Sequence, residues 1–101
     1  MKLYIDTSVR DKIVVGFGDK KFTSNAKKAT SQLLLPFINK ILKSKGKTFK
    51  DVTEIEVATG PGSFTGLRIG VSVAQTLGWV LGIPVNKKNV MKGETIEIKY
   101  R

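Results

Sequence analysis

The sequence has no cysteine and no histidine. Without cysteine there is no disulfide framework, no thiol nucleophile and no thiolate metal ligand. Without histidine the commonest general base and the commonest metal ligand are missing. Ser-His-Asp hydrolysis, Cys-His chemistry and zinc-peptidase chemistry are therefore excluded. Acid is scarce as well: eight Asp and Glu stand against 18 Lys and Arg, a formal charge of +10. The few carboxylates are scattered, with Asp11 and Asp19 in turn-like contexts and Asp51, Glu54 and Glu56 around one strand-like run. No paired-carboxylate site is visible. Long apolar runs are nearly absent. Ile69–Val85 carries no charge, but Ser72, Gln75, Thr76 and Pro84 interrupt it, and no membrane helix is expected. The opening MKLYIDTSVR has one Lys and then a strand-like run broken by Asp6. No secretory signal is expected from it, and the cytoplasm is the expected location.

What remains is a chain of 101 residues with 41% hydrophobic content. A chain of this size hides only roughly 60–65% of the surface its unfolded form exposes. It can hold one core, but not two lobes with a cleft between them. Lys2–Asp6 and Lys12–Gly18 read as strands joined by the turn-like Asp6–Asp11, and Lys20–Ser24 reads as a third after Gly18-Asp19. The opening is thus a β-meander. Leu33, Leu34, Phe37, Ile38, Ile41 and Leu42 follow helical spacing, with Ser31, Thr30 or Ser24 as N-cap and Gly46 as the stop. Pro36 fits near the first turn or as a kink. Glu54–Thr59 reads as a strand, placed parallel beside the first. Gly60–Ser63 is a tight loop, and a second helix runs from Phe64 to about Leu81 with Gly82 after it. Asn86–Gly93 reads as a loop. Thr95–Tyr100 alternates as a half-exposed edge strand does. The pattern predicts an α/β half-lobe: a mixed sheet with two main helices on one face.

Both helices carry more apolar surface than such a chain can cover. The apolar side chains of the first span about 200° of its circumference, where a surface helix needs about 100°. From Val57 to Asn86 only Arg68 is charged. Gly66, Gly70, Gly78 and Gly82 fall along one side of the second helix, where small residues admit another helix backbone. The surplus predicts a protein partner seated on Leu34, Phe37, Ile38, Ile41, Gly66, Arg68, Ile69, Gly70, Val73 and Leu77. The alternative is that the two helices mainly cover each other. With no other partner, a two-fold homodimer through the same face is expected.

Two further features bear on chemistry. Gly60-Pro61-Gly62-Ser63-Phe64-Thr65-Gly66-Leu67-Arg68-Ile69-Gly70 is a strand–glycine loop–helix junction, a place where backbone N–H groups favour an anion. It lacks the Lys of a P-loop and does not match the dinucleotide fingerprint. Asp6, Thr7, Gly60, Gly62 and Ser63 are the candidates for holding a phosphate; a turn carboxylate and a packing loop are the alternatives. The charge is also lopsided: residues 1–50 carry 12 basic and three acidic side chains. Lys40, Lys43, Lys45, Lys47 and Lys50 lie together with no acid between them, a candidate contact for RNA. No aromatic side chains that could stack bases are interleaved among them.

The strand ending in Asp6-Thr7-Ser8, the meander, Ser31–Ile38, the glycine block and Gly82-Ile83-Pro84 together resemble the TsaB (YeaZ) family over residues 1–86. The resemblance implies the actin-like and Hsp70-like (ASKHA, ribonuclease H-like) fold. It also implies a non-catalytic paralogue of TsaD, the enzyme that threonylcarbamoylates adenosine 37 of tRNA. In that family TsaB pairs with TsaD through the first two helices of each N-terminal lobe, and the ATPase TsaE joins. ATP and metal would then belong to the partner subunits, with no cofactor in this chain. Family members carry a second lobe of similar size. Here the whole of 1–101 corresponds to a truncated N-terminal lobe, with 87–101 as a short divergent tail. A stand-alone basic RNA-binding module and a nucleotide hydrolase using Asp6 are the rival functions.

Overall fold

The opening segment turns back on itself twice because apolar side chains alternate on either side of two short polar turns. The computed structural model describes residues 1–26 and 30–99. Strand β1 (Lys2–Asp6) pairs antiparallel with β2 (Lys12–Phe17), and β2 with β3 (Lys20–Asn25). Leu3, Ile5, Ile13 and Val15 are fully buried on one face. Tyr4 and Val14, the intervening residues, stay half-buried on the other. The period of two thus decides which face receives the helices.

Helix α1 (Thr30–Ser44) carries the chain back, and β4 (Glu54–Val57) then enters the sheet parallel to β1, in register Leu3 to Ile55 and Ile5 to Val57. The sheet order is β3-β2-β1-β4. A β–helix–β return of this kind is how parallel strands become neighbours. Between α1 and β4, the Thr48 and Asp51 side chains cap a single 3-10 turn at Phe49–Asp51 reciprocally. Helix α2 (Phe64–Leu81) has Ser63 as its N-cap and ends at Gly82, whose φ of 68° is the left-handed stop the sequence predicts. Gly46 ends α1 in the same conformation. The residue preceding Thr30 lies outside the described residues, so the N-cap of α1 does too. The meander, the parallel fourth strand and both helix spans follow the sequence reading closely.

One expected strand is absent. Thr95–Lys99 forms no ladder; Tyr100 lies outside the described residues. The reason is occupancy. The free edge of β4 is already used by Pro84–Asn86: Ile55 N–H donates to Pro84 O, Asn86 N–H to Ile55 O, and the Asn86 amide brackets Val57. The tail makes one ladder-like bond, Lys99 N–H to Thr59 O at 2.7 Å, and turns Ile96 and Ile98 onto the core. Its alternation therefore marks core contact, not strand pairing.

The rotation of α1 also departs from expectation. Leu34 and Ile38 are fully buried and Ile41 nearly so, all within the single core cluster. Leu33 and Leu35 point outward instead. The broad apolar arc is divided, with its middle facing the sheet and only its flanks left for solvent. We expect Leu34→Ala and Ile38→Ala each to cost about 2–5 kcal/mol in chemical denaturation. Leu35→Ala is expected to stay within about 0.5 kcal/mol.

Candidate functional site

The residues singled out around the glycine block do converge, at the end of the sheet where β1 and β4 finish. They converge chiefly on one another. The Asp6 carboxylate takes the Ser8 N–H at 2.9 Å and the Ser8 hydroxyl at 2.5 Å on Oδ1, and the Tyr4 hydroxyl at 3.1 Å on Oδ2. It is the acceptor of an Asx-type turn. Thr7, fully buried, sends its hydroxyl to the Gly66 carbonyl at 2.5 Å. Ser63 N–H donates to Ser8 O at 2.6 Å, and the Ser63 hydroxyl accepts the Gly66 N–H. Burial, then the neighbouring Asp6, push the Tyr4 phenol up to about 12.

The glycines explain why the block has its composition. A Cβ on Gly66 would collide with Thr7 O, on Gly70 with Thr7 Oγ1, and on Gly62 with Ser8 O. At Gly60 the space is taken by the carbonyl of Lys99. Close approach is what glycine supplies here, and the approaching atoms are the chain's own: backbone at Gly60, Gly62 and Gly66, the Thr7 hydroxyl at Gly70. This corrects the expectation for the α2 glycines: Gly66 and Gly70 face β1, and Gly78 faces Val85. They open no groove for a partner helix.

Beside this junction lies an open cleft of about 400 Å³ lined by Thr7, Arg10, Asp11, Thr30, Ser63 and Thr65, among others. Arg10, Asp11 and Thr30 were not visible as site residues in the sequence, because only the meander and the start of α1 bring them together. Among the described residues no three acidic side chains gather as a metal site would require. No helix there is long and apolar enough to cross a membrane.

Of the expected partner surface, Leu34, Ile38, Ile41, Gly66 and Gly70 are buried within the chain and unavailable. Phe37, Ile69, Val73 and Leu77 are half-buried, and Arg68 is exposed over the Phe64 ring at 5.6 Å. The structure adds Trp79, 63% exposed, Val80, 71%, Phe64, 55%, and Leu33, 40%. Two shallow apolar grooves run along this face. One is lined by Ser31, Phe64, Arg68, Ile69 and Val73, the other by Gln75, Thr76, Trp79 and Val80. A helical wheel contained the signal for Trp79. It falls about 20° from both Arg68 and Ser72, so a large indole sits within the polar stripe. Lys40, Lys43, Lys47 and Lys50 are exposed and Lys45 half-exposed, at the far end of the molecule from the glycine block.

Comparison with known proteins places this geometry. Residues 23–97 match the family model described as TsaD: tRNA N6-adenosine threonylcarbamoyltransferase. The tRNA threonylcarbamoyladenosine biosynthesis protein TsaB of Buchnera aphidicola (subsp. Schizaphis graminum) is 39% identical over 87 residues, 82% of this chain and 41% of that protein. TsaB of Bacillus subtilis is 39% identical over 66 residues, 65% of this chain and 29% of its own length. The chain thus spans less than half the length of these relatives. YeaZ from Pseudomonas aeruginosa superposes with a TM-score of 0.70 at 30% identity, covering 83% of this chain and 41% of that one.

The packing of Thr7 against α2 gives a direct test. Gly66→Ala should destabilise the fold by about 1–3 kcal/mol, because the added methyl would run into the Thr7 carbonyl, which is main chain and cannot rotate away. Urea denaturation of the purified variant measures it. The Tyr4 environment gives a second. In a Tyr100→Phe background, ultraviolet titration should show Tyr4 ionising near 12, above the ordinary value of about 10. Folding holds this phenol in its neutral form. Its contribution to stability is therefore complete below pH about 10 and is lost as pH rises from there to about 12. Asp6→Asn should move the Tyr4 midpoint back toward the ordinary value.

Proposed function

The chain belongs to the TsaD-related family, in its TsaB (YeaZ) branch, and on that footing we propose that it is a non-catalytic scaffold. Its task is to hold a TsaD-type transferase during threonylcarbamoylation of adenosine 37 of tRNA. The observation that carries this reading is the outer face of α2. Trp79 and Val80 stand more than half exposed, on the same helix as the half-buried Ile69 and Val73. A helix with large apolar groups on its solvent side is ordinarily covered by a second protein. An interface of standard size would bury about 800 Å² on each side. The same face would serve a homodimer when the transferase is absent.

The absence of histidine and cysteine and the self-filled glycine loop support a scaffold over a hydrolase. In this reading the ATP and metal chemistry belongs to the transferase and to a TsaE-type ATPase that joins the assembly, in the cytoplasm. The chain corresponds to the N-terminal lobe of its relatives, and that lobe contains both helices of the pairing surface.

Co-expression with the TsaD of the same organism tests the proposal. The unmodified chain should co-purify with it. The double variant Trp79→Asp, Val80→Asp should lose the partner and keep its own melting temperature within a few degrees, since neither residue enters the core. Retained binding in that variant would place the interface elsewhere.

A further inference from the structure

Five of the lysines are gathered at one pole of the fold, and the topology shows why. β3 begins at Lys20 opposite Phe17, and Phe17 lies opposite Leu3 at the start of β1. This is the end of the sheet where β1 and β4 both begin. Helix α1 starts at the other end, where Thr30 lines the cleft beside Thr7 and Arg10. It returns to this end, so that Lys45 Nζ comes to lie 5.5 Å from the Phe22 ring of β3. The linker after α1 stays here too, because Thr53 N–H bonds Met1 O at 2.8 Å. Lys20 from β3 therefore joins Lys43, Lys45, Lys47 and Lys50 at this pole, though it lies far from them in the sequence, while Lys21 turns to the other sheet face, its Nζ 4.8 Å from the Tyr4 ring.

Local acids neutralise this pole only in part: Asp19, Asp51, Glu54 and Glu56 stand against Lys2 and the five lysines. Asp51 is occupied as a cap, taking the Thr48 N–H at 2.8 Å. Glu54 and Glu56 pair with Lys2, at 4.0 and 2.7 Å. Asp19 remains, in the turn between β2 and β3. Among the described residues both ion pairs belong to Lys2, so none of these five lysines has a carboxylate within 4.0 Å. Among the described residues the pole also lacks an apolar anchor. The large exposed hydrophobic residues are Val9, Leu33, Leu35, Phe64, Trp79, Val80 and Met91, and none comes from β3, the end of α1 or the linker. Membrane-surface segments need an apolar face to insert, and protein interfaces need buried aromatic or aliphatic anchors. A surface of separated ammonium groups without either suits the phosphodiester backbone of a folded RNA. With the Phe22 ring under Lys45 and Phe49 half-buried, the described residues of the pole offer no open aromatic face to stack a base.

We propose that the pole formed by Lys20, Lys43, Lys45, Lys47 and Lys50 binds the phosphate backbone of tRNA, independently of sequence and away from the outer face of α2. The proposal rests on the scaffold reading for the identity of the RNA, and its test is separate from that reading. Fluorescence anisotropy with a labelled, unmodified tRNA transcript is measured across a salt series. The Lys43→Gln, Lys45→Gln, Lys47→Gln variant should lower the slope of log K against log salt by about 2 to 3 and weaken binding at least about tenfold at 0.1 M salt. A control, Lys12→Gln, Lys87→Gln, Lys88→Gln, removes the same charge elsewhere and should retain most of the affinity. Equal loss in both variants would mean that only net charge matters and would overturn the site. So would equal affinity for polyglutamate, or for vesicles of phosphatidylserine, at matched charge. Co-purification with TsaD is scored in parallel. If the pole variant loses the transferase as well, the pole is part of the protein interface and the proposal fails. If TsaD never binds while the tRNA results hold, the scaffold reading fails and the RNA site stands.

Discussion

The arrangement depends on how closely α2 approaches the end of β1. Thr7 is fully buried there, its hydroxyl bonded to the Gly66 carbonyl and its backbone oxygen where a Gly66 side chain would sit. Because Gly66 and Gly70 carry no side chain, the helix axis can lie low over the sheet. That depth lets Leu67, Val71 and Ala74 reach the interior, and it fixes which stripe of α2 remains outside. A bulkier residue at either position would raise the helix and alter every contact along it.

The same packing separates two surfaces that a sequence cannot separate. The buried side of α2 is lined with small residues and binds the chain to itself. The outer side bears Arg68, Ser72 and Thr76 together with Trp79 and Val80. In a sequence, small residues at helical spacing suggest a helix–helix seam, and here they make a helix–sheet seam. The apolar residues available to a partner are instead the ones lying among polar neighbours.

Charge is distributed along a different axis. The β1 and β4 ends gather the turn carboxylate Asp6, the glycine loop and the cleft beside Arg10, while the opposite end gathers lysines. The lysines outnumber the acids at that end, and the ion pairs there go to Lys2, which leaves the pole with a net positive charge. Because both α1 and β3 have termini there, residues distant in sequence contribute to one field.

The sequence by itself determined the elements and their order. Alternation in β1 and β2, helical spacing from Leu33 to Leu42, and Gly46 and Gly82 as stops are local signals, and local signals survive without tertiary context. It also carried the glycine block, whose order and spacing identify the family. The tertiary structure alone decided which way each element faces. Leu34, Ile38 and Ile41 turned inward because α1 had only one sheet face to cover, and the wheel could not say which part of a wide apolar arc that face would take. Thr95–Lys99 lost its strand because Pro84–Asn86 already held the edge of β4. The phosphate-like loop closed on Thr7, Ser8 and Lys99, since what fills the space beside a glycine depends on which distant segment the fold brings there.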